Sequence, residues 1–382
     1  MQRSTDRILT THIGSLPRPD DLVEMMQGRA DKAAFDQRVR AAVNDVVAKQ
    51  VELGIDVVND GEQGKPSFIT YVRERLSGLE TRGSRGFPWA GSREEQSFPA
   101  FYGAMQRSAA GPNRAAQMVC TAPLKYTGHA LLKAELDLFK SALQGKQYVE
   151  AFVPAISPTN VENWIDNEHY KSQDEFLAAI ADAMAVEYRA IVDAGFLLQV
   201  DDPRLATYWA MTPGASMAEC RKWAASRVEM LNHALRGIPR EKIRFHTCYS
   251  INMGPRVHDM ELTDLIDIML AIKAGAYSFE AANPRHEHEW RVWQDVKLPD
   301  DAILIPGVIS HTTVLVEHPA LVAERIVRYA SVAGRERVIA GADCGFASFA
   351  STREIDASIV WAKLKALVDG ARLASRELWS RA

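Results

Sequence analysis

Short runs of β-branched and other apolar residues, ending in polar side chains or glycine, recur along this 382-residue chain with an amphipathic stretch between one and the next. VVNDGE (57–62), FVPAIS (152–157), FLLQVDD (196–202), IRFHTC (243–248), YSFEAA (277–282), ILIPGVIS (303–310) and RVIAGADCG (337–345) each read as a buried parallel strand followed by a loop. Between them, DEFLAAIADAMAVEYRAIVDAG (174–195), MAECRKWAASRVEMLNHALRG (217–237) and HPALVAERIVRYASVAG (318–334) carry helical spacing, and the last two end in glycine as capped helices do. Strand and helix alternate, which predicts an α/β fold. The expected architecture is a TIM-type (β/α)8 barrel, one domain over residues 1–382.

Adding ILTTHIGS (8–15) and MVCTAP (118–123) gives nine strand candidates, one more than a closed eight-stranded barrel needs. The 118–123 run is the one expected outside the barrel, in a hairpin. A doubly wound open sheet is the structural alternative, but no glycine-rich dinucleotide loop follows the first strand. Residues 81–103, TRGSRGFPWAGSREEQSFPAFYG, break the rhythm and read as an irregular insertion, a long surface loop. Loops of such length also serve as lids or assembly contacts.

Charge narrows the class of partner. The 45 basic and 49 acidic residues are mixed along the chain, so no field gathers nucleic acid or anionic lipid, and a small molecule is the expected partner. No apolar run reaches the length of a membrane span and the first residues lack the apolar core of a secretory signal, so the protein is expected in the cytoplasm. Four cysteines are too few for a disulfide framework, and each is a buried small hydrophobe, a ligand or a nucleophile.

His246, Cys248, Glu280 and Cys344 all fall at or just beyond the C-terminal ends of candidate strands. In a parallel barrel these ends converge on one mouth, which makes a metal site possible. Two thiolates, an imidazole and a carboxylate suit Zn(II), and a thiol binding there loses its proton readily and becomes a nucleophile. Alone, His-x-Cys is a weak signal, because alternate residues on a strand point to opposite faces; at a strand terminus, where the chain turns, that parity argument loses force. Cys120 and Cys220 read as packing residues. The cluster Arg285-His286-Glu287-His288-Glu289 reads as a solvated, capped helix start rather than a second metal site.

HTCYS, the Glu of SFEAANPR, PGVIS and GADCGFAS resemble, in that order, the metal-binding half of cobalamin-independent methionine synthase. The resemblance continues through THIGSLPRP, VVNDGEQGKPSF and LLQVDDP, from Thr11 to about Ser348. It implies a TIM-type barrel whose zinc is held by His246, Cys248, Glu280 and Cys344 and binds the substrate thiol. It further implies that Ile13, Gly14 and Ser15 cradle the thiol's carboxylate end while Glu62 and Asp201 receive its amino group. Asp201 and His311 are the candidate catalytic residues, with His311 as general acid toward the leaving group; the plain alternative for His311 is an exposed histidine at a helix start. Glu62 and Asp201 also admit a plain reading, as loop caps or ion-pair partners.

The chain is too short for the related N-terminal half that helps hold the folate donor in full-length members, which leaves folate use open, and the position of the family's pteridine platform falls near Asn160 rather than on Trp164. Short members include core methionine synthases that take methyl from a corrinoid protein and epoxyalkane:coenzyme M transferases, which open an epoxide with a thiolate held on zinc. The donor is therefore expected to be methyl-folate, a methyl-corrinoid protein or an epoxide. An amino-acid thiol needs carboxylates, as Glu62 and Asp201 offer, whereas a sulfonate needs cations, for which Arg18, Lys65 and Arg204 lie close by in sequence. Methyl transfer to homocysteine or a related thiol leads epoxide opening by coenzyme M; a thiol- or corrinoid-binding module without catalysis and a metal-free barrel enzyme are the alternatives of other classes.

Overall fold

A computed structural model describes residues 1–28, 31–108, 116–250, 253–350 and 355–380. Eight parallel strands form one sheet: β1 (Leu9–Thr10), β2 (Val57–Val58), β5 (Glu150–Ile156), β7 (Leu197–Asp201), β8 (Ile243–Thr247), β9 (Ala276–Phe279), β10 (Ile303–Ile309) and β11 (Ile339–Ala342). Neighbours follow the order β1-β11-β10-β9-β8-β7-β5-β2. A parallel bridge between Thr11 and Val57 joins the two outer strands and closes the barrel. The fold expected from the alternation is the fold observed.

Side-chain alternation divides each strand between two environments. Leu9, Ala276, Ile303, Ile305 and Ile339 pack together inside the barrel, as do Val57, Phe152 and Leu197. The intervening residues, among them Leu198, Val200, Phe245, Tyr277, Phe279 and Leu304, belong to the large core between the barrel and its helices. On the same parity as the inward set, and nearer the C-terminal mouth, come Asp201, His246 and Glu280. The period that builds the core thus also aims these polar groups at the axis.

The helices that cover the barrel begin at side-chain caps. Ser172 caps Gln173–Asp193, Ser216 and Glu219 form a capping box on Met217–Ala234, and Asp202 caps the short helix Pro203–Met211 immediately after β7. No helix among the described residues is long and apolar enough to cross a membrane.

The 118–123 run does lie outside the barrel: β4 (Ala116–Tyr126) pairs antiparallel with β3 (Leu76–Ser84) and parallel with the short β6 (Ile165–Asn167). The 81–103 insertion is less irregular than its composition suggests. Thr81 to Ser84 complete β3, and helices follow at Arg93–Ser97 and Pro99–Ser108. Ser92 caps the first, and Trp89, Tyr102 and Ala210 form a small apolar core beneath. Glu94, fully buried, accepts hydrogen bonds from Tyr102 Oη (3.1 Å) and from the backbone N–H groups of Arg256 (3.1 Å) and His258 (2.7 Å). A buried carboxylate needs such partners, and they order a segment that would otherwise read as a loop.

Candidate metal and thiol site

β8 carries His246 inward and turns at Cys248, while β11 ends two residues before Cys344. The two sulfurs lie 3.2 Å apart, and the ligand atoms of His246, Cys248 and Cys344 are within 4.8 Å of one another. Ser278 Oγ lies 3.2 Å from His246 Nδ1, whereas Nε2 is buried with no protein partner among the described residues. Burial, with the charge of Arg244 adding to it, holds the His246 imidazole down to about 3, so it is neutral and free to coordinate. Sharing a hydrogen bond with Cys248, and then burial, push the Cys344 thiol well above its ordinary range. Two thiols and an unpartnered imidazole nitrogen packed this closely fit a zinc ion.

Glu280 sits beside this triad but is turned to other partners. One carboxylate oxygen accepts from Tyr249 N–H (2.7 Å), and the other accepts from Asn283 Nδ2 (2.7 Å) and pairs with Arg256 Nη2 at 2.9 Å. With His311 and Asp343, Glu280 forms a second group whose ligand atoms lie within 4.8 Å of one another. The structure therefore brings three of the four expected ligands together and places the fourth next to them. Arg256, which nothing in the sequence pattern marks, adopts a left-handed backbone (φ 60°).

His311 is not an exposed residue at a helix start. It is 1% exposed, and neither ring nitrogen meets a hydrogen-bond partner among the described residues. Burial brings its imidazole down to about 4. Asp343 accepts from the N–H groups of Ala281 (2.7 Å) and Ala282 (2.8 Å), pinning β11 to the turn that carries Glu280. Gly307 permits this: a Cβ there would lie 2.1 Å from Asp343 Oδ1. Inward parity from Ile339 through Gly341 would have pointed to Asp343.

A narrow cavity of about 20 Å³, enough for a water molecule or an ion, is walled by Ile13, Ser15, Glu62, Asp201, His246, Cys248 and Cys344. Gly14, between two wall residues, packs against Glu62: a Cβ on it would meet Glu62 Oε1 at 2.7 Å, and its φ of +145° suits glycine alone. Glu62, itself left-handed (φ 52°), is 3.7 Å from Lys65 Nζ. Asp201 accepts a hydrogen bond from Gln199 Nε2 (2.7 Å). Burial raises the Glu62 carboxyl, and burial followed by the charge of Glu62 raises Asp201 well above the usual range. Two buried carboxyls facing one cavity make a place for a cation or a shared proton.

The barrel floor holds a residue that pattern reading passed over. Arg244, 1% exposed, donates to Thr11 Oγ1 (3.0 Å) and the His12 carbonyl (2.9 Å) and lies over Phe152 at 4.0 Å. A charged residue in a buried strand gives no periodic signal. The Arg285–Glu289 cluster is only in part a solvated terminus: His288 is exposed, but His286 is buried between Asp259 (3.0 Å) and Glu289 (2.8 Å) and stacks on Tyr249, while Glu287 pairs with Arg325 and Arg328. It buttresses the turn that carries Cys248. Cys120 and Cys220 are fully buried.

Comparison with known proteins agrees with this geometry. The sequence profile of the family described as cobalamin-independent synthase, catalytic domain, matches residues 8–126 and 153–372. A methionine synthase of Thermococcus kodakarensis is 26% identical over 375 residues, 97% of this chain and 94% of the relative, and one of Pyrococcus furiosus is 24% identical over 97% and 93%. Among solved structures, a B12-independent methionine synthase from Shewanella sp. W3-18-1 in complex with selenomethionine has the same fold, with a TM-score of 0.75 at 16% identity over 98% of this chain and 99% of that one. The chain belongs to the cobalamin-independent synthase family and corresponds to its catalytic domain.

Proposed function

We propose that this chain, a transferase by its family, moves a methyl group onto the sulfur of a small amino-acid thiol such as homocysteine at a zinc site held by His246, Cys248 and Cys344, with Glu280 alongside. One observation carries the reading: a single cavity joins a soft-donor triad to two buried carboxyls, Glu62 and Asp201, so one end suits sulfur and the other suits an ammonium.

When bound, the ion supplies a Lewis acid that lowers the pKa of a coordinated thiol. The chain's residues do the rest. Glu62 and Asp201 hold the substrate ammonium, and the Ile13–Ser15 turn faces its carboxylate. Asp201, raised by burial and by Glu62, is the member of the pair able to keep a proton. His311, neutral at pH 7 because burial holds it near 4, offers a ring N–H toward the departing group.

Epoxide opening by coenzyme M is the second reading, supported by Arg204 as a cation in the cavity that adjoins the site. A panel crossing homocysteine and coenzyme M with methyl-folate, methylcobalamin and a small epoxide separates the two by which thiol is consumed. Consumption of coenzyme M but not homocysteine would overturn the first reading. Stoichiometric zinc without turnover of any pair would favour a binding module that serves a partner.

A further inference from the structure

A second cavity, of about 200 Å³, adjoins the thiol site and shares Phe68, Pro203 and Ser250 with it. Its remaining wall includes Arg85, Arg204, Trp89, Trp164 and Asn160. We propose that this chamber seats the oxyanion, a carboxylate or sulfonate, of one of the two reactants, with Arg204 and Arg85 as its recognition groups.

The argument begins with which cations near the site are already engaged. Arg18 donates to the carbonyls of Ala347 (2.7 Å), Glu62 (2.7 Å) and Lys65 (2.9 Å), so it ties loops together. Lys65 donates to the Pro154 carbonyl (2.8 Å) and neighbours Glu62. Arg85 and Arg204 differ: among the described residues neither makes an ion pair with a carboxylate. Arg85 donates one bond, to the Asn163 carbonyl at 2.8 Å, and lies over the Trp164 ring at 4.3 Å. Arg204 lies 5.0 Å from the Tyr208 ring centre and 5.9 Å from that of Trp223; these two rings stack on each other at 3.7 Å, and Arg227 lies 4.9 Å from Trp223. Ring contacts use none of a guanidinium's N–H donors and leave them available.

Nearby carboxylates have other partners. Asp202 accepts from Asn160 Nδ2 (2.9 Å), Glu162 pairs with Arg227 (2.8 Å), and Asp166 influences Arg85 only through its charge. Burial, with the charge of Arg85 adding to it, lowers the Arg204 guanidinium to about 10. Two mutually repelling, half-buried cations in one chamber are relieved by an anion. The aromatic walls suit a planar or short aliphatic body behind that anion.

The identity of the reactant rests on the proposed alkyl transfer, but the anion site does not, so it is tested without turnover. Metal-free protein is titrated by calorimetry and tryptophan fluorescence with three probes: 2-(methylthio)ethanesulfonate, N-(4-aminobenzoyl)glutamate and zwitterionic methionine. At least one of the two anionic probes is expected to bind saturably and to weaken by about tenfold or more in Arg204→Gln, the loss of a charge-assisted bond. Arg85→Gln, in the insertion, gives a second reading if Arg204→Gln melts early. Preference for the sulfonate assigns the anion to the thiol, and preference for the aminobenzoyl glutamate assigns it to the donor. Absence of saturable binding by both anions, or equal affinity in wild type and both variants, would overturn the inference whatever the zinc site does.

Discussion

Replacing His286 by Gln should remove a block of stability that exists only at acid and neutral pH. The ring is 2% exposed, its Nδ1 faces Glu289 at 2.8 Å and its Nε2 faces Asp259 at 3.0 Å. Burial opposes the charge, but the hydrogen bonds and charges of Asp259 and Glu289 outweigh it and raise the imidazole from 6.5 to about 9. Below 6.5 folded and unfolded chains both hold the proton, and the full contribution is present; between 6.5 and about 9 only the folded chain holds it; above that it is lost. The interval, at about 1.4 kcal/mol per pH unit, amounts to about 3 kcal/mol.

Urea unfolding of wild type and His286→Gln, with a chelator present to keep metal out of the balance, measures this directly. The wild-type advantage should be greatest near pH 6 and shrink by about 3 kcal/mol by about pH 10. Other groups titrate in the same range, and taking the difference between the two proteins removes them. An advantage independent of pH would refute the assignment of a charged His286 between two carboxylates. Because Asp259 also accepts from Arg256 Nε at 2.7 Å, and Arg256 holds Glu280, the variant should loosen the metal site too.

Cys344→Ala should abolish stoichiometric zinc binding and turnover while leaving the far-UV circular dichroism unchanged, since the residue sits at the mouth above the packed barrel; zinc retained at wild-type affinity would remove it from the ligand set. Glu62→Gln should keep zinc and weaken homocysteine binding by about 10-fold to 100-fold, measured by competition calorimetry, through loss of a charge-assisted bond. Gly14→Ala should strain the backbone and press on Glu62, costing about 1–3 kcal/mol in thermal unfolding and raising KM with zinc content intact. An unchanged KM in that variant would separate the Ile13–Ser15 turn from the thiol.

Much of the barrel was legible because its signals are local. ILIPGVIS and FLLQVDD are apolar runs long enough to be strands, and they became Ile303–Ile309 and Leu197–Asp201. The runs around Leu9–Thr10 and Val57–Val58 contracted to two residues each, because the chain leaves the sheet as soon as polar residues reach the mouth. β3, β6 and the helices after Ser157 and Asp202 went unread: they are short or weakly periodic, and long-range pairing or a single cap fixes them. At the site, residue types at strand ends pointed to His246, Cys248 and Cys344. The engagement of Glu280 with Arg256 was invisible, since it depends on a left-handed residue in a loop that carries no pattern of its own.

That engagement makes the insertion part of the site. Glu94, in a helix between β3 and β4, accepts the backbone N–H groups of Arg256 and His258 and so holds the loop after β8 in place. The Arg256 side chain, 6% exposed, then spans Asp259 and Glu280. Two links, Glu94 to the Arg256 backbone and the Arg256 side chain to Glu280, thus connect the insertion to that carboxylate. Removing Glu94 would take the acceptor from the buried N–H of Arg256, at about 1–3 kcal/mol, and from the half-buried N–H of His258, and that cost falls on the backbone aiming Arg256. The same insertion supplies Arg85 and Trp89 to the second chamber. One segment therefore reaches both places: Glu94 braces the loop whose Arg256 pairs with Glu280, and Arg85 and Trp89 line the neighbouring chamber.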